Sequence, residues 1–336
     1  MAKVCAMVVG AGGVSAAWFP RLQEEKVEVV AVVDLRRSAA EEKIAQYNLK
    51  AIASDDLAKI LRTTSADFLV DLTTPEAHCQ VTCAALKASL HVVGEKPMAS
   101  SMAEAKKMVA TARKTGRLYM VSQSRRWEPH HDAMARTVAA GRLGPLTTVN
   151  CDYFMGAHFG GFRDEMPNVL ILDMAIHHFD MARMISGKDP VRVYAEEFNP
   201  SGSWYKGAAS ANCIFEMTDG VRFAYRGSWC AEGCQTGWNG DWRVIGEKGT
   251  MIYISDQPPF GELVAGKTGF HRPQRPLKVV ASPLKYRTQH GAIREMLRFL
   301  RTGPKPQTAC EDNIKSLAMV FAAIESSRQG RRVPVQ

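Results

Sequence analysis

The sequence predicts an α/β chain in two parts, a doubly wound parallel sheet followed by an α+β half with a large, mostly antiparallel open sheet. Short apolar runs alternate with segments of helical spacing as far as Ser122, the pattern of parallel strands covered by helices. A glycine cluster, Gly10 to Gly13, directly follows the first run. From about Arg125, strand-like runs mix with helical segments and are joined by short turns, which implies antiparallel pairing. A chain of 336 residues exceeds what one hydrophobic core supports, and the change in pattern divides it into residues 1–123 and 124–336.

Lys3 to Val9 is an apolar run that ends at Gly10-Ala11-Gly12-Gly13-Val14-Ser15, after which Ala16, Phe19 and Leu22 recur at helical spacing. Strand, glycine turn and helix in this order let the backbone turn tightly against a pyrophosphate, with the N–H groups of the helix N-terminus facing it. Ser15 stands where the third glycine of that fingerprint is expected, and an ordinary strand-to-helix loop would read the same way in isolation. The second run, Val27 to Val33, ends in Asp34, at the distance expected for the acid that binds the ribose hydroxyls of a dinucleotide. Together the two signals predict a Rossmann domain. An acid at Asp34 favours NAD, while Arg36 and Arg37 lie close enough to accept NADP.

Phe68 to Leu72 is the next strand, followed by Thr73-Thr74-Pro75-Glu76, where Thr74 is placed to cap a helix that starts at Pro75. Leu90 to Val93 precedes Gly94-Glu95-Lys96-Pro97, and Ser101 with Glu104 spells a capping box. Leu118 to Ser122 closes the series. Ligands of such a sheet bind at the carboxyl ends of its strands, where Thr73, Lys96 and Gln123 fall.

In the second half, helices are expected near Pro129 to Ala140 and Asn168 to Ser186. Strands are expected at Thr147–Phe154, Val191–Phe198, Ala208–Met217, Val221–Ser228, Trp242–Gly246 and Thr250–Ile254. Asp219-Gly220 and Glu247-Lys248-Gly249 are the turns between neighbouring strands. The Pro- and Gly-rich stretch from Pro258 to Pro283 reads as a long surface loop or flap.

Composition narrows the function. Forty-three Lys and Arg against 34 Asp and Glu give a formal charge of +9, but the positive residues are dispersed rather than striped, so nucleic acid is not an expected partner. No apolar stretch is long enough to span a membrane and no secretory signal precedes the first strand, so a cytoplasmic location is expected. The eight cysteines form neither Cys-x-x-Cys pairs nor a disulfide framework, and read as reduced, structural thiols rather than metal ligands.

At about 100° per residue, Asp173, His177, Asp180 and Met184 fall on one stripe of the helix that begins near Asn168. Leu172, Ala175, Ile176, Phe179 and Ala182 lie on another, core-facing side. An acid–imidazole pair at i, i+4 suits a general acid/base; a solvated helix pair and a metal site of Asp173, His177 and Asp180 are the alternatives. His178 reads as structural, and His130-His131 has no assigned role. His158 and Arg163, in the Gly-rich loop before this helix, are candidate substrate contacts, Arg163 for a carboxylate or phosphate. Of the aromatics Trp127, Trp204, Tyr205, Trp229, Trp238 and Trp242, one or two are expected to stack on substrate and the rest to fill the core.

Gly10 to Ser15, Thr73-Thr74-Pro75-x-x-His78, Glu95-Lys96-Pro97, Gly141-Arg142-Leu143-Gly144 and Asp173-Met174-Ala175-Ile176-His177 occur in an order and spacing that resembles the Gfo/Idh/MocA oxidoreductases, the family of glucose-fructose oxidoreductase and inositol dehydrogenase. The resemblance extends to the terminal helix and so covers nearly the whole chain. It implies an NAD(P)-dependent oxidoreductase acting on CH–OH groups of a sugar, polyol or sugar derivative, with Lys96, Asp173 and His177 catalytic. It places the cofactor against Gly10, Ala11, Gly12, Gly13, Val14, Asp34, Leu35, Arg36, Thr73, Thr74, Pro75, His78, Glu95, Lys96 and Gln123. The substrate falls to Lys96, His158, Arg163, Asp173 and His177, with no metal. Self-association into a homodimer or homotetramer through the open sheet is also implied. An NAD-using glycosidase and a non-catalytic nucleotide-binding regulator are the functional alternatives.

Overall fold

The computed structural model describes residues 3–336. The chain divides into two compact units, one running to Ser124 and taking in Tyr286–Ile314, the other comprising Arg125–Lys285 and Lys315–Gln336.

In the first unit the expected alternation appears as β1 (Cys5–Val9), α1 (Phe19–Glu24), β2 (Glu28–Val33), α2 (Arg37–Gln46), β3 (Ile52–Ser54), α3 (Leu57–Thr63), β4 (Phe68–Asp71), α4 (Pro75–Lys87), β5 (His91–Glu95), α5 (Met102–Thr115) and β6 (Tyr119–Ser122). The six strands are parallel in the order β3-β2-β1-β4-β5-β6, the doubly wound order with its switch point between β1 and β4. Val33, Val9, Asp71, Gly94 and Val121 pair in one row across it, so the loops after β2, β1, β4, β5 and β6 leave the sheet along one edge.

Local chemistry sets the element ends. Thr74 is the N-cap of α4 with Pro75 at N1, but its side chain makes no capping bond. Ser101 caps α5 by accepting from the Glu104 N–H at 3.3 Å. The other half of the expected box is absent, because the Glu104 carboxylate accepts from the Ser100 hydroxyl at 2.5 Å instead.

The second unit opens with α6 (Pro129–Ala139) and β7 (Leu146–Phe154), and a helix over the expected 168–186 stretch ends in α7 (Ile176–Ser186). There follow β8 (Pro190–Phe198), β9 (Ser210–Met217), β10 (Arg222–Ser228), β11 (Asp241–Gly246), β12 (Gly249–Tyr253), β13 (Phe260–Val264) and β14 (Gln274–Pro276). After α8 (Thr288–Leu300) and α9 (Cys310–Gln329), β15 (Val333–Pro334) closes the sheet in the order β14-β13-β12-β11-β7-β10-β9-β8-β15. Its pairings are antiparallel except β7 with β10. One face is packed: Phe179 of α7 meets Phe215 at 4.8 Å and Tyr225 at 5.4 Å between ring centroids, and Val149, Cys151, Tyr153 and Trp242 are buried with them. The other face carries the exposed Tyr194, Phe198 and Ile214 and the Arg226–Asp152 ion pair.

Two expectations need correction. Pro258 to Pro283 is not one long loop, because β13 and β14 pair within it and extend the sheet; β14, at the edge, is exposed throughout and β13 buries only Leu263, so neither shows the apolar alternation that marks a strand. Residues 124–336 do not form a single unit, because Tyr286–Ile314 pack with the first sheet. There His290 and Arg294 of α8 bind the Glu25 carboxylate at 2.7 and 2.8 Å, and Val121 donates its N–H to the Thr308 carbonyl at 3.0 Å.

Candidate active site

The nucleotide end of the first unit is built from backbone geometry. Gly10 has φ +98°, and a Cβ there would sit 2.6 Å from the Leu72 carbonyl oxygen, so only glycine fits. Around Gly12 and Gly13 a Cβ would meet nothing within 4 Å, which leaves open space over the glycine turn. The turn leads into a 3-10 turn over Gly13–Ala17 before α1. Asp34 leaves β2 with one carboxylate oxygen accepting from the Ala11 N–H at 2.8 Å and the other from the Arg36 N–H at 2.9 Å. The acid is thereby fixed to the glycine turn, and Leu35, Arg36 and Val14 are exposed around it. After β6 the buried Gln123 carboxamide has no hydrogen-bond partner at either end among the described residues, so donors and an acceptor remain for a bound polar group. Open space over the turn, an oriented acid and a polar amide without partners fit a dinucleotide.

Lys96 follows β5, and its peptide bond to Pro97 is cis. The Glu95 carboxylate orders this turn from within, accepting from Trp18 Nε1 at 2.8 Å, the Lys96 N–H at 3.2 Å and Gln289 Nε2 at 3.2 Å. His78 is buried, with Nδ1 2.9 Å from the Pro97 carbonyl oxygen and Nε2 3.0 Å from that of Thr73. Beneath it Asp71, fully buried, accepts from the Thr73 N–H at 3.2 Å, the Thr73 hydroxyl at 2.6 Å and the Thr82 hydroxyl at 2.9 Å.

In the second unit, Asp173 lies in a π-helical turn over Leu170–Ala175, and His177 lies in the α7 helix that continues it. Single π turns inside α-helices recur at functional positions, and this one breaks the uniform 100° step assumed from sequence. Arg163 binds the Asp173 carboxylate, Nε to Oδ2 at 2.8 Å. Asp180 belongs elsewhere: both its oxygens bind Arg126, at 2.7 and 2.8 Å, and it also accepts from Ser316 at 2.6 Å. The helix therefore carries a structural acid one turn past His177, buried against a guanidinium. His178 is fully buried between Tyr153 and Tyr225, and burial pushes its pKa well below the ordinary value. His131 donates its Nδ1–H to the Arg125 carbonyl oxygen at 2.9 Å, and burial drives its pKa down to about 3.

The loop after β7 is aromatic. His158 stacks on Trp204 at 3.7 Å and meets Glu232 at 3.0 Å, while Phe159 and Phe162 flank the Arg163 guanidinium at 4.9 and 4.7 Å. Trp127, Trp229 and Trp242 are buried core, as is Tyr205, whereas Trp238 is 47% exposed. Sequence reasoning missed Asp71, Arg126 and Glu197. Asp71, the last residue of an apolar strand, gave a local signal, while Arg126 and Glu197 find their partners 54 and 29 residues away.

Residues 4–123 match the model of an oxidoreductase family with an NAD-binding Rossmann fold, and residues 131–252 match the GFO/IDH/MocA C-terminal domain. The chain belongs to the Gfo/Idh/MocA oxidoreductases. Among its relatives in the family, 1,5-anhydro-D-fructose reductase of Ensifer adhaerens is 25% identical over 91% of this chain and 91% of its own. D-apiose dehydrogenase of Paraburkholderia graminis is 26% identical over 84% and 76%. In fold, the chain matches the crystal structure of an oxidoreductase from Agrobacterium radiobacter in complex with NAD+, L-tartaric acid and magnesium, with a TM-score of 0.85, 21% identity and 99% coverage of both chains. As a Gfo/Idh/MocA protein, the chain is an NAD-binding oxidoreductase with sugar dehydrogenases and reductases among its relatives. None of its described helices is long and apolar enough to cross a membrane.

Proposed function

We propose that this protein transfers a hydride between NAD and the hydroxyl or carbonyl carbon of a sugar, polyol or sugar derivative, with NADP as a second acceptable cofactor. The reading is carried by one observation: Asp173 and His177 stand four residues apart at a π-to-α junction in a family member that keeps the Glu95-Lys96-Pro97 turn. Bound nicotinamide supplies the hydride acceptor or donor. His177 takes the hydroxyl proton in oxidation and returns it in reduction, and Asp173, oriented by Arg163, steadies the imidazole. The Lys96 ammonium stabilises negative charge on the reacting oxygen. His158, Arg163 and the exposed aromatic rings of their loop bind the remainder of the substrate. Gly10 to Val14, Asp34 to Arg36, Thr73 to Pro75 and Gln123 hold the dinucleotide.

The exposed face of the second sheet, with Tyr194, Phe198 and Ile214, is the surface through which we propose that the protein forms a homodimer or homotetramer. Its cysteines are all free thiols, in keeping with a cytoplasmic location. A screen of polyols, aldoses, inositols and sugar acids with NAD and NADP, followed by cofactor absorbance in both directions, tests the function. At least one of these classes should change the cofactor's redox state; a binding-competent protein that turns over none of them defeats the reading.

A further inference from the structure

The two carbonyl oxygens at His78 constrain its charge. An uncharged imidazole has one N–H and one lone pair. It can satisfy only one of the Pro97 and Thr73 carbonyls, 2.9 and 3.0 Å away, and would set its lone pair against the other. The imidazolium donates to both. The neighbouring acid shows the opposite polarity, since every group that hydrogen-bonds Asp71 is a donor: the Thr73 N–H, the Thr73 hydroxyl and the Thr82 hydroxyl. That set suits an ionised carboxylate, which only accepts. Burial pushes the Asp71 carboxyl above its ordinary value, and His78 with the Thr73 and Thr82 donors pulls against that rise, so the ionised acid rests on the donors and the cation that face it.

We propose that His78 is held as an imidazolium with Asp71 as its buried counterion, and that this pair fixes the Thr73 loop to the turn carrying Lys96, making His78 a positioning residue. An isolated buried charge of either sign would be strongly unfavourable, whereas opposite charges that are each hydrogen-bonded, here on the two sides of Thr73, are tolerated. The elements around the ring supply few other charges. From β4 comes Asp71, and from the turn after β5 come Glu95, committed to Trp18 and Gln289, and Lys96. From β6 comes Tyr119, whose hydroxyl donates to Met98 O at 3.3 Å and whose pKa burial raises well above the ordinary value. On α4 itself, Glu76 is exposed. One proton thus decides whether two strand-end loops are tied together or only one of them is held.

Long-range proton–nitrogen correlation on the 15N-labelled full-length protein, with His78→Asn identifying the signals, tests the charge. Both ring nitrogens should read as protonated at neutral pH, and a ring with one bare nitrogen overturns the assignment. In Asp71→Asn the second proton should be lost, and a ring still doubly protonated overturns the pairing; the wild-type spectrum decides the charge should that variant not fold. For the positioning role, which rests on the proposed dinucleotide site, His78→Asn with unchanged circular dichroism should bind NAD about tenfold more weakly by fluorescence titration. Unchanged affinity overturns it. Neither measurement uses a substrate, so failure here is distinguishable from failure of the dehydrogenase reading.

Discussion

Arg163 meets Asp173 edge-on, its Nε 2.8 Å from Oδ2 and its Nη2 3.5 Å from Oδ1, while its guanidinium lies over the rings of Phe159 and Phe162. The side chains are 32% and 14% exposed, so the pair is only partly screened by water. A residue of the loop after β7 therefore sets the carboxylate of the π turn that precedes His177.

Arg163→Ala should lower kcat by about 10- to 100-fold, because a displaced Asp173 misorients its neighbours. Arg163→Lys keeps the charge but not the planar two-pronged contact, and should recover only part of the loss. Steady-state kinetics of the three proteins decide this, and unchanged kcat in the alanine variant would show that Asp173 is placed without Arg163.

Lys96→Ala should reduce turnover by about 10²- to 10³-fold, the usual effect of removing one donor to a developing oxyanion. NAD affinity, measured by fluorescence titration, should survive. Loss of both together would move Lys96 from the reacting oxygen to the cofactor alone.

Asp180→Asn should destabilise the second unit by about 3–5 kcal/mol, because it leaves the buried Arg126 guanidinium without its counterion. Urea denaturation followed by fluorescence measures the shift. A loss below 1 kcal/mol would mean that Arg126 reaches water in the variant.

Glu197 gives stability a pH dependence. Burial lifts its carboxyl from the ordinary 4.5 to about 7, and Oε1 has no hydrogen-bond partner among the described residues. Between those values the folded chain holds a proton at Glu197 that the unfolded chain has released, so relative to high pH this group's contribution to stability is fully present below pH 4.5 and is lost as pH rises to 7. Glu197→Gln, which can still accept from Asn168, should flatten that limb of the Tm-against-pH curve and add up to about 3 kcal/mol at neutral pH. An unaltered slope would place the titration elsewhere.

What sequence made legible was local. Gly10 and Asp34 announce themselves because turn and acid stand at fixed offsets from two apolar strands, and the five longer strands of the first sheet are continuous apolar runs. β3, three residues long and partly exposed, gives no such signal, nor does β14, exposed throughout. The π turn at Leu170–Ala175 has no spacing signature, so the projected stripe joined Asp180 to Asp173 and His177 although Asp180 is tied to Arg126 and Ser316. Partners far along the chain were equally hidden. Nothing near Glu25 foretells His290 and Arg294, and nothing near Glu95 foretells Gln289.

Those last contacts bear on how the protein is made. A ribosome that has extended the chain through β6 has released every strand of the first sheet, yet Glu25 still lacks His290 and Arg294 of α8 and Val121 its carbonyl acceptor at Thr308. The unit translated first is thus finished late, after most of the other has emerged, and a gene fragment cut at the end of β6 would encode a sheet missing its closing segment.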